Sequence, residues 1–244
     1  MVVNNVDWAP YVDRFKHGEW RAPIFRDLIL DDARRLQRKP TILDIGCGRG
    51  FDHDIRLQKS IAAVAERYIG IEPDKDIPIE PFFTAVHRCF FEEAPIAAAS
   101  IDLAFAVMVL EHIATPQAFL NKLAHVLADG GVFWGFTMDA RHYFTRASLL
   151  AEGLGIKDGY LNLLRGARGS DRYENYPVFY RLNSPRQFLR HAAGFRRIDF
   201  ISFSRVGQLN HYVPRPLRCI TDFIDRRMMA RGQPGSLLVV RLEK

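Results

Sequence analysis

The run Asp44-Ile-Gly-Cys-Gly-Arg-Gly50 sets glycine at every second position, at Gly46, Gly48 and Gly50. A loop without side chains lets a ligand approach the main chain closely, and its amides can receive a carboxylate or a ribose. The dinucleotide fingerprint G-x-G-x-x-G needs its third glycine at position 51, where this chain has Phe51. That spacing disfavours a nicotinamide cofactor. Glu72 stands 26 residues after Gly46, at the end of the next apolar run. At the edge of an open α/β sheet, an acid in that place can accept hydrogen bonds from both hydroxyls of a ribose. Loop and acid together point to a ligand containing a nucleoside.

Two further segments sharpen the reading, Val109-Leu-Glu-His-Ile113 after one strand and Leu127-Ala-Asp-Gly-Gly-Val132 before the next. At these spacings the four segments resemble the class I S-adenosylmethionine-dependent methyltransferases. The similar branch has motifs that read strand-DxGCGxG, strand-xGxE/D, strand-xLEHI and LxxGG-strand. The resemblance covers residues 40–137, with a weaker echo in the Asn183-Ser-Pro helix that ends at Gly194-Phe195. It implies an α/β fold, a Rossmann-like doubly wound seven-stranded sheet, mostly parallel with an antiparallel last strand. It also implies S-adenosyl-L-methionine as cofactor, with Asp44 and Gly46 at its methionine end and Cys47, Gly48 and Gly50 completing the loop. Glu72 would take the ribose, and Val107, Met108 and Glu111 would line the sulfonium side. Members often hold adenine with an acid after the third strand. Here Arg88-Cys-Phe-Phe-Glu-Glu93 puts Phe90 at that place, so packing from Phe90 or Phe91 with backbone amides is the expected substitute, and Glu92 a weaker one.

Methyl transfer is an in-line displacement at carbon, so the protein must align the acceptor and exclude water. A hydroxyl acceptor also gains from a general base. His112 is the leading candidate, because it follows a strand whose C-terminal end faces the cofactor; the alternative is a structural histidine at a helix start. Asp139 and His142, just beyond the fifth strand, are second-rank candidates. The segment Asp171-Arg-Tyr-Glu-Asn-Tyr-Pro-Val-Phe-Tyr-Arg181 interleaves aromatic and basic residues. With Tyr143, its residues Arg172, Tyr176, Tyr180 and Arg181 suit a flat or sugar-like acceptor bearing an anionic group; packing of an irregular insertion is the other reading. The expectation is O-methylation of a small or glycan-like acceptor. Nucleic-acid methylation is the less favoured rival, because Leu110-Glu-His-Ile113 replaces the Asn/Asp-Pro-Pro-aromatic run associated with methylation of base amines. A non-catalytic S-adenosylmethionine-binding protein is a rival of another class.

The elements that would position these residues follow from periodicity. Apolar residues at helical spacing between Trp20 and Arg38 predict a helix, within an N-terminal helical segment over residues 1–39. Strands are expected at Thr41–Ile45, Arg67–Glu72, Thr84–Val86, Ile101–Leu110 and Val132–Thr137, alternating with helices in Asp52–Glu66 and Thr115–Ala128. Residues 138–183 break the pattern and read as an insertion or lid after strand 5 that forms the acceptor site. A helix from Ser184 to Ala193, strands Arg197–Ser204 and Ser236–Leu242, and a helix near Leu217–Met229 complete one domain over residues 1–244.

Charge divides along the same line. Residues 1–140 hold 15 Lys and Arg against 20 Asp and Glu, whereas residues 141–231 hold 17 against seven. An acidic half suits a cationic sulfonium, and a basic half suits an anionic acceptor. Three scattered cysteines exclude a disulfide framework or a paired zinc motif. The apolar run Leu103–Leu110 is far short of the roughly 20 residues that cross a bilayer, and a cytoplasmic location is the expectation.

Overall fold

Thr41–Ile45 forms β1, and Ile101–Val107 forms β4 beside it. Both strands are buried on their two faces, as near-continuous apolar runs in a parallel sheet must be. The computed structural model describes residues 6–153, 177–208, 210 and 213–244. Arg67–Ile71 is β2, Ala85–His87 is β3, Leu127–Met138 is β5, Arg197–Phe203 is β6 and Leu237–Glu243 is β7. They form one sheet in the order β3-β2-β1-β4-β5-β7-β6. β1 to β5 are parallel, and β7 runs antiparallel to both β5 and β6. The seven-stranded, doubly wound arrangement is the one expected from the sequence.

Alternation of side chains divides the core in two. Leu43, Ile45, Ala104, Ala106, Phe133 and Val240 face α4, Pro116–Val126, and the short α6, Pro185–Leu189. Ile42, Phe105, Trp134, Phe136 and Val239 face the helices α1, Ala9–Lys16, α2, Arg21–Arg35, and α3, Ile55–Ala62. No helix among the described residues is long and apolar enough to cross a membrane.

Several boundaries differ from expectation for physical reasons. The helix predicted to reach Arg38 ends at Arg35, because Gln37 turns to φ +53°. The Asp129-Gly130-Gly131 turn lies inside β5 as a break in register: Ile101 pairs with Leu127 but Leu103 pairs with Val132. Gly130 has φ +78°, and a Cβ on Gly131 would sit 2.8 Å from the Ala128 carbonyl oxygen. β4 stops at Val107, since Met108 takes φ +55° and Leu110–His112 closes into a 3-10 turn. The helix expected to reach Ala193 ends at Leu189. Helix α5, Tyr143–Gly153, opens the insertion, and α7, Arg218–Ala230, lies between β6 and β7.

Connections from β1 and β4 leave on opposite sides of the sheet, and their ends are neighbours, Ile45 pairing with Ala106. The glycine loop and the Met108–His112 turn therefore meet at the topological switch point, where open α/β sheets bind ligands.

Candidate active site

The glycine loop is held by main-chain bonds that the sequence did not disclose. The amides of Gly46 and Cys47 both donate to the Ile71 carbonyl, at 2.8 and 3.0 Å. The Gly48 amide donates to Glu72 Oε2 at 3.0 Å. These three amides are therefore committed within the protein, which corrects the expectation that the loop's amides stand ready for a ligand. The glycines supply close packing instead. A Cβ on Gly48 would lie 2.5 Å from Glu72 Oε2, and one on Gly46, at φ +81°, would lie 2.4 Å from Val109 Cγ2. Phe51, in the place of the missing fingerprint glycine, is a core residue against Phe105. After it, Asp52 is gripped by Trp20 Nε1 and the Arg21 guanidinium at 2.6–2.8 Å, which ties the loop to the start of α2.

Glu72 is buried at the end of β2, and its Oε1 accepts from the Asp74 amide at 3.0 Å. Each carboxylate oxygen keeps a further lone pair, the requirement for taking two ribose hydroxyls. Burial raises the Glu72 pKa, while the Asp74 and Gly48 amides draw it back down. Donors from a ribose would favour the charged form still more. Arg88 reaches round to the carbonyls of Asp74 and Ile77 at 2.7 and 2.9 Å and braces the segment beside this acid.

Asp44 is turned inward. Its Oδ2 accepts from Tyr68 Oη at 2.6 Å and from Gln58 Nε2 at 2.8 Å, and burial raises its pKa to about 7. Gln58 also donates to the Cys47 carbonyl at 2.7 Å. Asp44 thus organises the loop through two residues that sequence reasoning missed. The available signal was a glutamine on the apolar face of α3, between Leu57 and Ile61. Cys47 is buried as well, and its thiol pKa is raised by burial.

At the end of β4, Met108 holds its left-handed conformation while its amide donates to the Phe136 carbonyl at 2.8 Å. A non-glycine residue in that region stores strain, which is commonly found at ligand sites. The buried Glu111 accepts from Thr137 Oγ1 at 2.8 Å, and Thr137 accepts from Asn183 Nδ2 at 2.6 Å. The Glu111 carbonyl accepts from the amides of Phe179 and Tyr180, at 2.7 and 3.1 Å. Residues 177–183, the return of the insertion, therefore lie across the Leu110–His112 turn.

His112 is half-buried at that crossing, with Nδ1 3.0 Å from the Pro177 carbonyl oxygen. A carbonyl only accepts, so Nδ1 is the donor of this bond. Arg181 is exposed, donates to the Ala114 carbonyl at 2.7 Å and stacks over Phe179. Tyr180 is at φ +50°, its carbonyl taken by Gln187 Nε2. Arg172 and Tyr176 lie outside the described residues.

The structure places the second-rank candidates differently from the sequence reading. Asp139 has no exposed surface, and its carboxylate accepts from the amide, Nε and Nη2 of Arg141 at 2.7–2.9 Å. This is an anchor at the end of β5. His142 is buried next to it, and burial lowers its pKa to about 4. Tyr143 donates its hydroxyl to Asp225 of α7 at 2.9 Å, so that group is engaged away from the crossing. Of the two adenine candidates, Phe91 is inside the core against Phe119, while Phe90 is 54 % exposed. The 3-10 turn Phe91–Glu93 makes that choice, and it removes Phe91 from the site.

A doubly wound sheet of this order brings a glycine loop, a buried acid at the end of β2 and a positive-φ turn together at its switch point, the place where open α/β sheets bind ligands. A family model described as a methyltransferase domain matches residues 17–195, and the chain belongs to that family. S-adenosylmethionine is the family's methyl donor, and the buried Glu72 and the glycine packing fit it. A probable S-adenosylmethionine-dependent methyltransferase of Mycolicibacterium smegmatis is 30% identical over 96 residues, 38% of this chain and 35% of that protein. A tRNA U34 carboxymethyltransferase of Haemophilus influenzae is 29% identical over 126 residues, 46% of this chain and 36% of that protein. The chain thus spans about a third of the length of these curated relatives. Among solved structures, S-adenosylmethionine-dependent methyltransferases of Thermotoga maritima and Mesorhizobium loti share the fold. Each has a TM-score of 0.54, at 14% and 15% identity, with 97% and 93% of this chain and 97% and 99% of theirs covered.

Proposed function

We propose that this domain methylates an oxygen of a small or glycan-like acceptor that carries an anionic group. The observation that carries this reading is the crossing at His112, where the turn after β4 and the returning insertion share one imidazole. S-adenosylmethionine, when bound, supplies a methyl group on a good leaving group. Glu72 would hold its ribose, Phe90 would pack on adenine, and Val107, Met108 and the Glu111 backbone would line the side facing the acceptor. His112 Nε2 would take the proton from the acceptor hydroxyl. The insertion would supply the contacts that orient the acceptor, Arg181 meeting its negative charge.

Release of S-adenosylhomocysteine, measured over a panel of hydroxylated and phosphorylated small acceptors and tRNA, tests this reading. Turnover is expected with a small acceptor, and His112→Ala should lower it by roughly 10²–10⁴-fold with S-adenosylhomocysteine affinity retained. Unchanged turnover in His112→Ala removes it from the reaction. Turnover with tRNA alone moves the acceptor to RNA, the direction in which the Haemophilus influenzae relative points.

A further inference from the structure

Helix α7, Arg218–Ala230, has one buried residue, and that residue is Asp225. Ile224, Met228 and Met229 are half-buried beside it, whereas two large apolar side chains point away from the core. Ile220 is 54 % and Phe223 60 % exposed, with Leu217 at 50 % on the turn that leads in. Ile220, Phe223, Arg227 and Arg231 follow one another in steps of three and four, which puts them on one stripe of the helix. On a helix with a solvated outer face this stripe is polar.

The charge around this stripe has one sign. Arg215, Arg226, Arg227 and Arg231 are exposed and make no ion pair among the described residues. The two acids of the helix do not offset them at the surface. Asp225 is occupied inside by Tyr143 Oη and the Gly207 amide, and Asp222 is half-buried. The Tyr143 bond ties the inner side of α7 to α5, on which Leu149 and Leu150 are 36 % and 66 % exposed. Both helices belong to the edge of the sheet that holds the glycine loop. Met138, the last residue of β5, pairs with Leu237, the first of β7, and Phe203, the last of β6, pairs with the same Leu237.

We propose that the exposed face of α7 docks on an anionic lipid bilayer. Leu217, Ile220 and Phe223 enter the boundary between headgroups and acyl chains, and the arginines meet the headgroup charge, as in helices that lie in a membrane interface. The alternatives explain half of the surface each. RNA would account for the arginines and leave the aliphatic side chains in water. A second copy of this chain would cover the apolar residues but bring like charges together. The face would then set the acceptor edge of the sheet against the membrane surface.

Co-sedimentation of the full chain with vesicles tests the proposal, comparing phosphatidylcholine alone with a three-to-one mixture of phosphatidylcholine and phosphatidylglycerol. The expected result is binding to the anionic vesicles only, weakened by 0.5 M salt. Two double variants, Ile220→Ser with Phe223→Ser and Arg227→Glu with Arg231→Glu, should each lower the partition coefficient by roughly tenfold or more. All these positions are exposed, so S-adenosylhomocysteine affinity should stay at the parent value in both and report an intact fold. Absence of binding to anionic vesicles, equal binding to neutral ones, or unchanged binding by both variants overturns the proposal. So does a phenotype that falls on tRNA binding or on dimer mass while vesicle binding is unaffected.

Discussion

In the proposed site Glu72 would hold the ribose of the cofactor, and its two oxygens are oriented for this by the Gly48 and Asp74 amides. Hydrogen bonds to a charged group are worth about 1.5–3 kcal/mol. Glu72→Gln should therefore weaken S-adenosylhomocysteine binding by roughly 10- to 100-fold in calorimetry; an unaltered affinity would separate Glu72 from the ribose. Two other buried groups make stability depend on pH in opposite senses. His142 has its pKa pushed by burial from 6.5 to about 4, so it stays neutral in the fold while the unfolded chain takes up a proton. Its contribution is complete above pH 6.5 and is lost on acidification towards pH 4, about 3 kcal/mol over that range. Asp44, raised to about 7 by burial, contributes most at low pH and loses its contribution as pH rises from 3.8 through 7. Urea denaturation at pH 5 and pH 7.5 distinguishes them. His142→Gln should lose less stability than the parent at pH 5, and Asp44→Asn should lose more; equal pH dependence in all three proteins would reject both assignments.

Among the elements, β1, β2, β4 and the strands of the C-terminal half were legible, because a buried parallel strand is a short apolar run and its turn is marked by glycine. The end of β4 was not legible. The turn depends on a positive φ at Met108, a residue type that gives no sign of it. Phe90 and Phe91 were equivalent in the sequence, and only the 3-10 turn sends one into the core. Inward rotation of Asp44 was hidden for another reason: its partners Gln58 and Tyr68 come from separate elements, and spacing along the chain does not encode such a meeting. The glycine loop and the turn after β4 are coupled by contact, which makes a prediction at this scale. Gly46→Ala combines φ +81° with a Cβ 2.4 Å from Val109 Cγ2. The backbone alone should cost about 1–2 kcal/mol, and denaturation should show more than that from the clash. Adding Val109→Ala should restore the steric part and leave the backbone part; a second substitution without effect would show that the two elements are not in contact.

The whole molecule is closed by a buried ion pair between its two ends. Asp32 on α2 and Arg241 on β7 are 209 residues apart in sequence and 2.8 Å apart in the fold, both 6 % exposed. Trp134 of β5 donates to the same Asp32 oxygen at 2.9 Å, and Arg35 takes the other oxygen. Three elements on one face of the sheet thus share a single carboxylate. Removing one partner of a buried pair costs about 3–5 kcal/mol where the other charge is left alone, whereas an apolar replacement of both can be nearly neutral; here Arg241 keeps Glu243 at 3.0 Å, which sets the expectation at the lower end of that range. Asp32→Leu should accordingly destabilise the protein by about 3 kcal/mol in urea, and Asp32→Leu with Arg241→Met should recover much of the loss. The effect should extend to the site, because α2 also carries Trp20 and Arg21 at its start, which grip Asp52 behind the glycine loop. A single Asp32→Leu variant is therefore expected to bind S-adenosylhomocysteine several-fold more weakly, at a temperature where it is still folded, and the double variant to regain affinity together with stability. If stability recovers and affinity does not, the packing of α2 and the setting of the glycine loop are independent.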